Sequence, residues 1–240
     1  MNKQSNAYAI IYIIVLVVVV GTALALTSMS LKDRQQENAN VDKMKQILAS
    51  ASIETEGLSG EQVVSLFDEH IPAADMYIVN SEGERVDGNA FDVSIEKQSK
   101  IKDVAERELP VFQCQKADTT LYILPVYGAG LWGPIWGYVA VEADGSTVYG
   151  AYFSHQGETP GLGAEIEKPA FSREFKGKRL FKNDHFYPIE VVKAGKGVDN
   201  PDGPDYVDGV SGGTITSQGV GAMLDNCLAP YQTFLSTLKK

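Results

Sequence analysis

The chemistry-bearing residues of this chain are concentrated in the stretch DGVSGGTITSQGV, which runs from Asp208 to Val220 near the C-terminus. Ser211 precedes the glycine pair Gly212 and Gly213, and Thr214 follows it. A glycine pair followed by a hydroxyl at the start of a helix favours a bound anion, because unpaired backbone N–H groups and the helix dipole attract negative charge. The pattern predicts a phosphate next to Thr214.

The same stretch also has a purely structural interpretation. Thr216 or Ser217 is a suitable N-cap for a closing helix that we expect from about Ser217 to Leu238. Capping accounts for these two hydroxyls. It leaves Ser211, the two glycines and Thr214 without an explanation.

A second polar, glycine-rich segment is HQGETPGLGAEI, from His155 to Ile166, directly after a predicted strand. Turn chemistry alone explains Pro160 and Gly161. The position of Leu162 between two glycines also suits a close approach of the backbone to a planar ligand. These residues by themselves leave both interpretations open.

The segment GAGLWG, residues 128–133, satisfies the G-x-G-x-x-G pattern of dinucleotide-binding proteins. That fingerprint requires a helix to begin at the glycines, so that the helix N-terminus meets the pyrophosphate. Here Pro134 and the strand-like IWGYVAV follow instead. We therefore interpret the segment as a glycine-rich connection between two strands, with Trp132 and Trp136 available to cover apolar surface.

Composition and charge exclude several classes of function. The formal net charge is −10 and no basic stripe is visible, which argues against a nucleic-acid partner. The two cysteines, Cys114 and Cys227, lie too far apart for a Cys-x-x-Cys pair, and whether they pair with each other stays open. The three histidines lack metal-ligand spacing, so no metal site is expected.

The N-terminal segment AYAIIYIIVLVVVVGTALAL, from Ala7 to Leu26, carries no charge. At about 1.5 Å per residue, its length matches the roughly 30 Å core of a bilayer. A cleaved signal peptide is the alternative, but its apolar core is typically only about 7–15 residues long. We expect an uncleaved anchor, and the flanking Lys and Arg residues leave its orientation open.

The remaining pattern predicts an α+β domain with a largely antiparallel sheet. We expect helices over 31–51, 60–71 and 97–109 and a strand at DMYIVN. Strands are also expected in TTLYILPVY and in IWGYVAVEADGSTVYGAYFSH, where Asp144 and Gly145 mark a hairpin-like turn. We therefore expect two parts: a transmembrane anchor over 1–30, and one domain over 31–240 that begins with a helical stalk.

The stretch DGVSGGT resembles the flavinylation motif Asp-x-x-(Ser/Thr)-Gly-Ala-Thr, with Asp208, Ser211, Gly212 and Thr214 at the matching positions. Gly213 stands where the family usually has alanine. The chain resembles the family of C subunits of sodium-translocating NADH:quinone reductases over nearly its whole length. The resemblance is carried by this motif, by the N-terminal anchor and by the segments YGAGLWGPIWGYVAVEADG and GETPGLGAEI. The resemblance implies that a dedicated flavin transferase esterifies Thr214 to the phosphate of FMN, with Asp208 serving motif recognition.

The resemblance also implies a set of residues around this FMN and no catalytic residue. The isoalloxazine is expected to lie against Glu158, Thr159, Leu162 and Gly163. The other expected cofactor-binding residues are Trp132, Ser211, Gly212, Gly213, Ile215 and Thr216.

The role implied is that of an electron relay without its own NADH site. It would serve a bacterial inner-membrane complex that reduces ubiquinone or menaquinone, with the domain in the periplasm and the A, B, D, E and F subunits as partners. The G subunit of the ion-translocating ferredoxin:NAD complex shares the short motif and the ETPGLG loop, so it is an alternative, and the GLWGPIWGY block favours the quinone reductase. A membrane-anchored adaptor without redox chemistry is a further alternative.

Overall fold

The computed structural model describes residues 6–197 and 201–239. They fall into two compact units, of which the first ends at Lys43 and the second begins at Met44. Helix α1, Asn6–Ser50, is one uninterrupted helix, so the expected anchor and the expected stalk belong to a single element. In the described part of the chain, α1 is the one helix long and apolar enough to cross a membrane by length and composition. Its apolar side chains, such as Val17 and Leu24, are exposed.

The second unit is built on a six-stranded sheet in which all neighbouring strands are antiparallel. Its strands are β1 Met76–Val79, β2 Arg85–Val86, β3 Leu109–Lys116, β4 Thr119–Ala129, β5 Pro134–Glu142 and β6 Val148–His155. The order across the sheet is β2-β1-β3-β4-β5-β6. This arrangement confirms the α+β class.

Alternating apolar residues along the strands supply both faces of the sheet, because successive side chains of a strand point to opposite sides. On one face, the end of α1 and helix α2, Gly60–His70, contribute Ile47, Leu48 and Phe67 to a buried cluster. On the other face, the cluster is completed by helices α4, Pro169–Arg173, α5, Thr214–Leu228, and α6, Gln232–Leu238. We call these the α2-side cluster and the α5-side cluster.

The two cysteines are free and separated by the sheet. Cys114 lies in the α2-side cluster and Cys227 in the α5-side cluster. Burial raises the pKa of the Cys114 thiol to about 11 and also raises the pKa of Cys227. A disulfide between the two residues is therefore not part of this fold.

The expected helix over 97–109 is wrong in its extent. Helix α3 covers only Ile95–Lys100, and a short 3-10 turn follows at Val104–Glu106. Leu109 already opens β3, which pairs with β1 on one side and β4 on the other. The charged residues from Lys97 to Glu108 are exposed except for Arg107, which is buried and donates hydrogen bonds to the Ile101 and Asn226 carbonyls. The apolar residues from Leu109 onward alternate between the two buried clusters.

The closing helix also differs from the expectation. Helix α5 begins at Thr214 with Gly213 as its N-cap, so neither Thr216 nor Ser217 caps it. Pro230 lies in a 3-10 turn that separates α5 from α6. Proline ends an α-helix because it lacks the N–H group and clashes with the preceding turn.

Four short strands complete the second unit. Strands β7 Phe181–Lys182 and β8 His185–Phe186 form a hairpin. Strands β9 Glu190–Val192 and β10 Tyr206–Asp208 pair in parallel, and the sequence pattern did not predict them. Strand β10 leads the chain directly into the segment before α5.

Candidate functional site

The hydroxyl-bearing residues in the first turn of α5 differ in their exposure to solvent. Thr214 is exposed at the first helical position. Thr216 and Ser217 are buried, and both hydroxyls are engaged inside the protein: Thr216 donates to Glu158 at 2.6 Å, and Ser217 accepts from the Val210 N–H at 2.9 Å. Thr214 is therefore the hydroxyl of this turn that an external group can reach.

The glycine pair before α5 allows a close approach to the 155–166 loop. Gly212 has φ of +77°, a left-handed conformation that favours glycine, and a Cβ there would lie 2.6 Å from Leu162 Cδ2. A Cβ on Gly213 would lie 3.2 Å from the Gly163 Cα. Glycine at 213, where the flavinylation motif usually has alanine, therefore suits the tight packing of these two loops.

The 155–166 loop turns sharply at Pro160 and Gly161. The Leu162 N–H donates to the Thr159 carbonyl at 3.1 Å, and Gly161 has φ of +75°, as expected at the third position of a type II turn. The turn leaves the Leu162 side chain 44% exposed. Thr159 is also exposed, next to this turn.

Glu158 connects three segments at the centre of the site. It is only 5% exposed, and its two carboxylate oxygens accept hydrogen bonds from the Trp132 N–H at 2.8 Å and from the Thr216 hydroxyl at 2.6 Å. Its own N–H donates to Nδ1 of His155 at 3.1 Å. The Nε2 atom of His155 then faces Glu167, with 3.4 Å between Nε2 and Oε2.

The glycine-rich segment 128–133 forms the β4–β5 connection, which confirms its interpretation as a link between strands. The Gly130 N–H donates to the Gly133 carbonyl at 2.8 Å. The same link contributes Trp132 and Gly130 to the site, and a Cβ on Gly130 would lie 2.5 Å from Glu158 Oε1. Sequence reasoning missed Gly130, although its place in a glycine run beside Trp132 was a usable signal.

Several exposed apolar side chains lie in this part of the structure. They come from the three segments that meet at Glu158, and their exposed fractions are large: Leu131 48%, Trp132 69%, Leu162 44% and Ile215 56%. Exposed large apolar side chains grouped in this way are typical of a binding surface. An exposed hydroxyl at a helix N-terminus beside such a surface suits a ligand with a phosphate and a planar apolar ring.

The structure thus brings together most residues of the expected site. In the 155–166 loop, Leu162 packs against Gly212, Gly163 packs against Gly213, and Glu158 accepts a hydrogen bond from Thr216, while the β4–β5 connection joins them through the Trp132 N–H. Asp208 is exposed at the end of β10, and Ser211 is exposed in the turn that follows. The Gly209 N–H donates to the Val192 carbonyl at 2.7 Å, which holds this turn on β9.

Comparison with known proteins agrees with this geometry. Residues 130–229, which include all three segments, match the family model of the FMN-binding domain. The C subunit of the Na⁺-translocating NADH-quinone reductase from Vibrio vulnificus is 39% identical over 204 residues, covering 78% of this chain and 77% of that protein. The C subunit from Pseudomonas aeruginosa is 31% identical over 223 residues, covering 86% of this chain and 85% of the other.

Solved structures extend the similarity to the fold. The C subunit of the reductase from Parabacteroides distasonis is 47% identical with a TM-score of 0.78, covering 86% of this chain and 97% of that one. NqrC from Shewanella oneidensis is 26% identical with a TM-score of 0.65, covering 83% and 97%. The chain belongs to the family of C subunits of the Na⁺-translocating NADH-quinone reductase.

Proposed function

We propose that this chain is an electron-relay subunit that carries FMN linked through its phosphate to Thr214. The observation that carries the proposal is the contrast in the first turn of α5, where Thr214 is exposed while Thr216 and Ser217 are buried and hydrogen-bonded. Formation of the ester replaces the O–H bond of Thr214 by an O–P bond. The flavin transferase implied by the motif would supply the FMN group from a phosphoanhydride donor: the P–O bond between the flavin phosphate and the donor's leaving phosphate group breaks, and the Thr214 proton passes to a base of the transferase or to water.

The start of α5 provides the electrostatics for a phosphate. Gly213 is the N-cap, and no side chain of the described residues caps the helix. The first N–H groups of a helix have no intrahelical partner, and the helix dipole places partial positive charge there. These groups can stabilise the negative phosphate oxygens and orient the phosphate at Thr214.

The surrounding side chains provide the contact surface for the ring. Ile215 follows Thr214 in the first turn of α5, Leu162 lies against Gly212, and Trp132 adds the largest exposed apolar side chain. When bound, FMN supplies the transfer of electrons, and the protein's part is to hold it and tune its potential. Thr159, Gly163 and Ser211 complete the proposed contacts, and Asp208 is proposed to be read by the transferase.

The N-terminal helix supports a membrane-bound location. We propose that residues 1–30 anchor the chain as a single span of the bacterial inner membrane, and that residues 31–240, starting with a helical stalk, form the periplasmic domain. The proposed partners are the A, B, D, E and F subunits of the complex, together with the flavin transferase. Electrons would enter from an iron–sulfur centre of the membrane subunits and leave to the FMN of the B subunit.

The attachment is tested by the intact mass of the full chain co-expressed with the flavin transferase. We expect a mass increase corresponding to one FMN ester in the native sequence and none in Thr214→Ala. Peptide mapping must place the addition on Thr214. An addition on Thr216 or Ser217, or FMN retained by Thr214→Ala through denaturation, would show that the assignment is wrong.

A further inference from the structure

The Glu158 carboxylate faces the interior of the protein rather than the solvent. Its side chain is almost fully buried, and each oxygen accepts a hydrogen bond from a different segment. Trp132 is 26 residues away along the chain and Thr216 is 58 residues away. No other described element bridges these two segments through one carboxylate.

The carboxylate occupies space that two glycines from two different segments leave free. A Cβ on Gly130 would lie 2.5 Å from Oε1, and a Cβ on Gly163 would lie 2.5 Å from Oε2. The Gly163 Cβ would also lie 2.5 Å from the Thr216 hydroxyl oxygen. The hydrogen-bonded arrangement of the carboxylate and the hydroxyl therefore requires that positions 130 and 163 carry no side chain.

From these contacts we infer that Glu158 is the positioning residue of the site, acting through Thr216 on the first turn of α5 and through the Trp132 N–H on the β4–β5 connection. It holds both segments in the arrangement that exposes the Thr214 hydroxyl beside the apolar side chains. Glu158 itself does not need to touch the flavin. The inference deepens the proposed function and rests on it for the link to attachment.

Four substitutions separate hydrogen bonding from shape. Glu158→Ala removes both acceptors, whereas Glu158→Gln keeps one oxygen for the Trp132 N–H and offers an NH₂ group to the Thr216 hydroxyl, which can rotate to accept it. Thr216→Val removes the hydroxyl at nearly constant volume, and Thr216→Ser restores it. Phe67→Leu is a control for general loss of stability, because Phe67 lies in the α2-side cluster on the other face of the sheet.

The first measurement is hydrogen exchange on the full chain, purified in detergent from cells that lack the flavin transferase. We expect Glu158→Ala to accelerate exchange at least about tenfold in peptides covering 130–133 and 214–217, because both segments lose a buried hydrogen-bond partner. Glu158→Gln should stay close to the native rate. Unchanged exchange in Glu158→Ala would overturn the inference whether or not the protein binds FMN.

The second measurement is the initial rate of FMN attachment in the presence of the transferase. Glu158→Ala and Thr216→Val should each lower the attachment rate about tenfold, which corresponds to roughly 1.4 kcal/mol of free energy. Glu158→Gln and Thr216→Ser should recover most of the native rate. If Phe67→Leu lowers the melting temperature as much as Glu158→Ala and slows attachment equally, the slower attachment is a consequence of lower stability. The positioning role of Glu158 would then be overturned. Equal loss in Glu158→Gln and Glu158→Ala would also overturn it. Native protein without FMN would refute the proposed function instead, and the exchange result would still decide the role of Glu158.

Discussion

At the scale of single residues, the site depends on small side chains as much as on polar ones. Gly163 and Gly130 leave room on either side of the Glu158 carboxylate, and Gly213 lets the turn before α5 approach the 155–166 loop. A side chain at Gly130 or Gly163 would push apart groups that form hydrogen bonds. The glycines of this region are therefore packing requirements of the site, in addition to turn formers.

Gly163→Ala tests this requirement. The new Cβ would lie 2.5 Å from both Glu158 Oε2 and Thr216 Oγ1, so we expect the free energy of unfolding to fall by about 1–3 kcal/mol, as for other overpacked interiors. Thermal or denaturant unfolding of the full chain measures the change. Gly157→Ala is the matched control in the same loop, because a Cβ there meets nothing within 4 Å. Equal stability of the two variants would contradict the packing argument.

At the scale of elements, residues on both sides of the glycine pair hold the start of α5 in place. Val210 precedes the pair, Ser217 follows it, and the two are joined by a hydrogen bond. The Ser217 hydroxyl accepts from the Val210 N–H at 2.9 Å, which fixes the incoming turn against the helix. Gly209 packs on the same serine, since a Cβ on Gly209 would lie 2.8 Å from the Ser217 Cβ. The hydroxyl that looks like an N-cap in the sequence thus stabilises the preceding turn.

Ser217→Ala should loosen this turn without removing a helix cap. The partly buried Val210 N–H loses its partner, and we expect a loss of about 1 kcal/mol in the free energy of unfolding, the usual net contribution of one hydrogen bond. FMN attachment at Thr214 should also slow. Ser236→Ala is the comparison, because that exposed hydroxyl bonds only to a carbonyl of its own helix, Thr233. Comparable losses in the two variants would argue against a special role for Ser217.

At the scale of the whole molecule, the chain combines a membrane-type helix with an FMN-binding domain. The G-x-G-x-x-G segment is a strand connection, so it supplies no helix N-terminus for a dinucleotide. The combination suits a protein that passes electrons between its partners in a complex. Oxidation of NADH would then belong to another subunit.

Thr214→Ala in the assembled complex tests the relay role. We expect quinone reduction to be lost, because electrons cannot pass the missing FMN. NADH oxidation with an artificial acceptor should remain largely intact, since that step lies upstream at the flavin of the NADH-oxidising partner. Both activities are measured on the same membranes. Quinone reduction that persists without FMN at position 214 would refute the relay role even if the attachment chemistry is right.

The parts of this protein that the sequence determined by itself are those with local signals. The apolar run from Ala7 to Leu26 predicts its helix, the alternating residues around Asp144 and Gly145 predict the β5–β6 hairpin, and the SGGT stretch predicts that Thr214 lies at the mouth of a helix. Each of these depends on residues within one turn, one strand pair or one apolar run. The length of an apolar run, the alternation of side chains along a strand and the backbone freedom of glycine produce these features. All three depend only on residues that are close together in the sequence.

Only the tertiary structure decided the features that join distant segments. Leu109 opens a central strand because β1 and β4 pair with it on both sides, which its charged neighbours in sequence conceal. Glu158 became a buried link between Trp132 and Thr216 because the β4–β5 connection and α5 meet next to the 155–166 loop. Sequence patterns report which residues can hydrogen-bond or be buried, but pairing and packing across the sheet determine which partners they find.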